Sequence, residues 1–193
     1  MISAIVLAAG LSRRMGNPKM LLPWGKTTVL GQVLHVLEAA GVEDVLVIAG
    51  AEQEAIEGIC LQAGVRTMKN PQYESGEMLS SLQVGLRAMP AAARAALIVL
   101  GDQPGMQLSV VRAVIGGHME TSASVVVPSF RRRRGHPWLV GRDGWPELLE
   151  MRPPETPRDF LSRHSASIHY VETDTASIIR DIDTPEEYLK SRP

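Results

Sequence analysis

Cysteine is nearly absent from this 193-residue chain: Cys60 stands alone, which excludes an internal disulfide and a multi-cysteine zinc site. Five scattered histidines show no H-x-x-x-H spacing. Excess charge of one sign is lacking too. With a net charge of −1, nothing draws the whole chain to nucleic acid or to an anionic membrane, so any anion must be held by a local cluster of cations. No apolar run approaches the length of a bilayer crossing, and Met1 leads straight into a strand-like stretch with no signal peptide in view. These absences predict a cytoplasmic protein with neither nucleic-acid nor membrane partners. No repeat or low-complexity linker divides the sequence, and its length suits one domain, 1–193.

What is present gathers near the start. An apolar run from Ala4 to Ala9, read as a buried strand, gives way to Gly10, Arg13, Arg14, Gly16 and Lys19. Backbone N–H groups that can approach closely, together with clustered cations, are what a triphosphate needs. Neither familiar phosphate fingerprint fits. The P-loop G-x-x-x-x-G-K-[ST] fails because Lys19 comes three residues after Gly16 and is followed by Met20. The dinucleotide pattern G-x-G-x-x-G fails because no glycine lies between Gly10 and Gly16.

Beyond this loop, Thr27 and Thr28 are placed to cap a helix with Val29, Leu30, Val33, Leu34 and Leu37 on its apolar face, and Gly41 closes it. Val45–Ile48 reads as a buried strand, 52–63 as a polar helix holding Cys60 as a small core residue, and Val65–Met68 as a short strand. A helix carrying Leu79, Leu82, Leu86 and Met89 follows. Strand Ala95–Leu100 ends directly at Gly101-Asp102-Gln103-Pro104, before a helix around Val110–Ile115 and a strand at Ser124–Val127. This alternation predicts a parallel, doubly wound α/β sheet with helices on both faces.

After Pro128 the rhythm changes. Arg131 to Val140 suggests a hairpin arm with Gly135 near its tip, and alternation sends Arg131 and Arg133 one way, Arg132 and Arg134 the other. Prolines from Pro146 to Pro157 break the chain into short pieces, strands are expected at Ile168–Glu172 and Ile178–Ile182, and a last helix begins at Pro185.

Ligands of doubly wound sheets sit beyond the carboxyl ends of the strands. Asp102, directly after a buried strand, is well placed to hold Mg²⁺ against phosphate oxygens. Asp181 and Asp183 share a face of an extended segment and either could complete that site, although Asp183 suits equally the capping of the helix from Pro185. Asn70, Gly76, Ser80 and Ser81 offer an amide and two hydroxyls for a base or ribose, or for ordinary capping. His136, between Gly135 and Pro137, is a rigidly presented imidazole.

The run Leu7-Ala8-Ala9-Gly10-Leu11-Ser12-Arg13-Arg14-Met15-Gly16-x-x-Lys19-x-Leu21-Leu22 resembles the signature L-A-A-G-x-S-x-R-M-G-x-x-K-x-L-L of the molybdenum cofactor nucleotidyltransferases. Gly101-Asp102-Gln103-Pro104, Gly135-His136-Pro137 and Asp181-Ile182-Asp183-Thr184-Pro185 resemble later motifs of that family, in its order. The resemblance implies a Rossmann-like, mostly parallel sheet with a small antiparallel arm, as in nucleotide-diphospho-sugar transferases. It implies transfer of CMP from CTP to the terminal phosphate of molybdopterin. Leu7, Ala8, Ala9, Gly10, Ser80 and Ser81 are then candidates for nucleotide contact, Arg14 and Lys19 for the triphosphate, Asp102 and Asp183 for Mg²⁺, and Gly135, His136 and Pro137 for the acceptor. Arg13 falls at a variable motif position. Within the family, Leu-Ala-Ala-Gly accompanies CTP and Leu-Ala-Gly-Gly accompanies GTP, so the choice of nucleotide rests on Ala9. The product's destination would be a molybdoenzyme or its chaperone.

Overall fold

A computed structural model describes residues 1–12, 14–74 and 77–193. Strand β1 (Ile2–Ala8) leads through a 3-10 turn at Lys19–Leu21 to the short strands β2 (Pro23–Trp24) and β3 (Thr27–Thr28) and to helix α1 (Val29–Ala39). Then come β4 (Asp44–Ala49), α2 (Gln53–Gln62), β5 (Arg66–Lys69), α3 (Met78–Arg87), β6 (Ala95–Leu100) and α4 (Leu108–Thr121). The last third holds β7 (Val125–Phe130), β8 (Arg133–Arg134), β9 (Trp138–Gly141), α5 (Trp145–Glu150), α6 (Pro157–Arg163), β10 (His169–Glu172), a 3-10 turn at Ala176–Ile179 and α7 (Pro185–Ser191).

The main sheet runs β10-β7-β9-β6-β1-β4-β5, with β8 paired to β7. β1 pairs in parallel with β4 and β6, β4 with β5, and β7 with β10, whereas β9 lies antiparallel between β6 and β7. Alternate side chains of β1 part to opposite faces. Ala4, Val6 and Ala8 join the core under α1, α2 and α4, while Ile5 and Leu7 join the core under α3, α5 and α6. A strand buried on both faces has no polar face to show, which is why the run from Ala4 onward reads as unbroken apolar sequence. No helix among the described residues is long and apolar enough to cross a membrane.

Local signals behave as expected in the first two thirds. The Thr28 hydroxyl accepts the Gly31 N–H at 3.0 Å at the start of α1, and the Gly41 N–H closes that helix on Glu38 O at 2.9 Å. Cys60 is fully buried.

Two expectations in the last third are corrected. Residues 178–182 form no strand: Ile178 lies in a 3-10 turn that Thr175 caps. The polar backbone there is used otherwise. Ile178 O accepts the His136 N–H at 2.8 Å, and the Ile182 N–H donates to Asp102 O at 3.0 Å. The arm also turns earlier than Gly135. Its tip is Arg131-Arg132, with φ of +50° and +64°, which match the right-handed twist of a two-residue hairpin. Gly135 instead packs where a Cβ would lie 2.3 Å from Ile178 O.

Candidate active site

The loop between β1 and the turn at Lys19 is organised by Ser12. Its carbonyl accepts the N–H groups of Met15 and Gly16 at 3.0 and 3.2 Å, and its hydroxyl accepts the Lys19 N–H at 3.2 Å. Met15 and Met20 are buried on either side of Lys19. Its backbone is thereby pinned, and its side chain points along the ends of β1 and β6.

There the Lys19 ammonium donates to Asp102 and, at 3.0 Å, to Asp183 Oδ1. The Arg14 guanidinium reaches the other oxygen, Asp183 Oδ2, at 2.8 Å. Asp102 sits just past β6, and the Ile182 bond holds the segment carrying Asp181 and Asp183 against it. Ile182 itself is buried with Met15 and Val29, so the two flanking carboxylates emerge on the same side. The face sharing expected of Asp181 and Asp183 therefore holds without a strand. One oxygen from each of Asp102, Asp181 and Asp183 lies within 4.8 Å of the others.

Burial works against the Lys19 charge, but the carboxylates of Asp102 and Asp183 outweigh it and hold the pKa of Lys19 above its ordinary value. Burial also pushes the Asp102 carboxyl up, opposed by Lys19 and reinforced by nearby Asp181. Three hard oxygen donors of this kind fit a divalent cation such as Mg²⁺ or Mn²⁺.

A cavity of about 490 Å³ opens over this cluster, lined by Leu7, Ala9, Gly10, Arg14, Lys19, Ser81, Asp102, Asp181 and Asp183 among others. Ala8 faces the core instead. Ser80 stays off the cavity wall, where it accepts a hydrogen bond from Asn70 Nδ2 at 2.8 Å; the same amide donates to Ser81 at 3.0 Å. Arg13 and Gly76 lie outside the described residues.

A second cavity of about 640 Å³ shares Glu77, Met78, Leu100 and Asp181 with the first. Gly135 and His136 line it, whereas Pro137 does not. Arg133 and Arg134 both line it, and Arg134 Nε also donates to the Tyr170 hydroxyl at 3.0 Å. Burial, with the Arg158 charge nearby, pushes the His136 imidazole down to about 4, leaving it neutral at pH 7. Its Nε2 is buried and has no hydrogen-bond partner among the described residues.

Several wall residues were not foreseen from sequence. Arg158 on α6 lines the second cavity, and Tyr73, Glu74 and Glu77 line the first. The signal for Arg158 was at hand: Pro157 opens α6, and Thr156 and Asp159 form its capping box. A cation in that first turn is displayed at a fixed place.

Fold and site together are those of a nucleotidyltransferase. The chain belongs to the MobA-like NTP transferase domain family, which matches residues 4–168. It is 28% identical to the molybdenum cofactor cytidylyltransferase of Escherichia coli (strain K12), over 99% of this chain and 95% of that protein. It is also 27% identical to the nicotine blue oxidoreductase of Paenarthrobacter nicotinovorans, over 98% of this chain and 95% of that one. The crystal structure of Rv0371c from Mycobacterium tuberculosis H37Rv in complex with manganese superposes with a TM-score of 0.81 at 26% identity, covering 98% of this chain and 96% of that chain.

Proposed function

We propose that this chain transfers CMP from CTP to the terminal phosphate of molybdopterin and releases pyrophosphate. One observation carries the reading: Lys19, at the foot of a glycine- and cation-bearing loop, is bonded to two of three clustered carboxylates at the mouth of the sheet. A relative of similar identity bears an oxidoreductase's name, so likeness alone does not fix the chemistry. The paired cations and carboxylates favour phosphoryl chemistry, and the existence of a manganese complex of Rv0371c supports a divalent ion as the partner of this chain's acidic cluster.

In this reading the nucleotide lies in the first cavity, with its triphosphate on the backbone near Gly10 and on Arg14 and Lys19. Asp102 and Asp183 hold Mg²⁺, with Asp181 close enough to assist. When bound, that ion supplies charge neutralisation across the phosphate oxygens. An oxygen of the acceptor phosphate forms a bond to the α-phosphorus, and the bond to the bridging oxygen breaks with its electron pair leaving on pyrophosphate. The attacking oxygen is already anionic, so no strong general base is needed, and alignment with charge stabilisation dominates. Lys19 is the residue placed to meet the charge that develops at the α-phosphate.

Ala9, on the cavity wall, supports cytosine over guanine because its methyl group narrows the space open to a purine. The acceptor occupies the second cavity, where Arg133, Arg134 and Arg158 supply cations and Gly135 and His136 form part of the wall. The floor common to both cavities supports treating 1–193 as one nucleotidyltransferase domain. Action in the cytoplasm, ahead of a molybdoenzyme or its chaperone, follows from the same reading.

The test is pyrophosphate release from a panel of CTP, GTP, ATP and UTP, with molybdopterin, a sugar phosphate and a phosphorylated small acid as acceptors, in Mg²⁺. The CTP–molybdopterin pair is expected to lead. A leading pair with GTP or with another acceptor overturns the specific assignment. No release from any pair leaves a non-catalytic carrier of finished cofactor as the better description.

A further inference from the structure

We propose that the Lys19 ammonium keeps the metal position filled until nucleotide arrives, so that cation and nucleotide load together. The inference rests on the reading of Asp102, Asp181 and Asp183 as the metal's seat. Lys19 is bonded to Asp102 and to Asp183 Oδ1, two carboxylates of that cluster. A dication seated on the cluster competes with the ammonium for these same two carboxylates.

Displacement alone is unfavourable. Lys19 cannot retreat, since its residue is 9% exposed and its backbone is fixed by Ser12 and the turn at Lys19–Leu21. Its charge would remain within a side-chain length of the incoming dication, with no partner to replace the carboxylates it lost. Arg14, whose side chain is 75% exposed, holds the outer oxygen of Asp183 and must also let go. Nucleotide alone fares no better, because a triphosphate then faces three carboxylates. Arriving together, the two ligands exchange partners with the protein: phosphate oxygens take Lys19 and Arg14, and the metal takes the freed carboxylates. Asp102 and Asp183 thus face a cation before and after, and Lys19 and Arg14 exchange carboxylate for phosphate. Such coupling is reciprocal, so each ligand raises the other's affinity by the same factor, and Lys19 is the group that carries it.

The experiment follows binding of Mn²⁺ to the full chain through the EPR signal of the free ion, without nucleotide. Lys19→Met is expected to bind Mn²⁺ about tenfold or more tightly than wild type, as removal of one nearby charge at partly buried sites implies. Lys19→Arg, which keeps the charge, is expected to stay as weak as wild type, and Lys19→Gln replaces the Met variant if that fails to fold. Equal Mn²⁺ affinity in wild type and the neutral variant overturns the inference. Mn²⁺-dependent binding of CTP by wild type, measured alongside, separates the two levels: if it persists, only the placeholder role falls, and if it is absent, the metal-site reading falls as well.

Discussion

Around Lys19, one ammonium and one guanidinium are paired in advance with Asp102 and Asp183, and Asp181 lies beside them. Across the shared floor, Arg133 and Arg158 line a cavity with no salt-bridge partner among the described residues, beside an imidazole that burial keeps neutral. The first region must give up existing partners to take a ligand. The second holds cations ready for an anion that brings its own charge. Substitutions should therefore act differently in the two places: in the first on the chemical step and on linked binding, in the second on acceptor affinity alone.

The largest effect is expected from Asp102→Asn. It removes one carboxylate of the cluster while keeping shape, and pyrophosphate release at saturating substrates should fall by about 10²–10³-fold, the usual cost of losing one preorganised charge partner at the reacting centre. A fall confined to the KM for acceptor would erase the distinction between the regions.

Arg158→Gln sharpens the comparison from the other side. Loss of one charge-assisted contact should raise the acceptor KM about tenfold, with kcat and the nucleotide KM little changed. An equal rise in the nucleotide KM would mean that Arg158 serves the first cavity.

The smallest effect concerns stability against pH. His136 sits at about 4 in the folded chain against an ordinary value of about 6.5, so between these the unfolded chain binds the extra proton. Folding stability from this group is complete above about pH 6.5 and is lost as pH falls toward 4. Between pH 7 and pH 5 the loss should reach about 1–2 kcal/mol, and His136→Gln should remove that slope in denaturant titrations. Identical slopes in the two proteins would show that the imidazole is not held neutral by its surroundings.

Legibility of the sequence divides along the same line. The inner strands β1, β4 and β6 are apolar because both their faces are covered, and the helices between them carry an apolar stripe with visible caps, so the first two thirds could be placed without coordinates. Gly10, Lys19 and Asp102 were legible for a related reason: residues after buried strands have only one place to go. The arm was not. Two arginines at positive φ give no turn signal of the kind Asn-Gly gives, and their sequence looks like ordinary extended charge. Ile178, Ile179 and Ile182 mimic a strand, yet Ile178 and Ile182 anchor in separate clusters. The bonds of Lys19 to Asp102 and Asp183 span 83 and 164 positions, a distance over which no local pattern carries information.

That separation has a consequence for how the molecule comes into being. β10 ends at Glu172, so every strand of the main sheet is already synthesised before Asp181 and Asp183 emerge. All strands of that sheet are thus made while the cluster beside Lys19 still lacks two of its three carboxylates. The carboxylate cluster is completed only after the sheet's last strand, by the segment that Ile182 fastens beside Asp102.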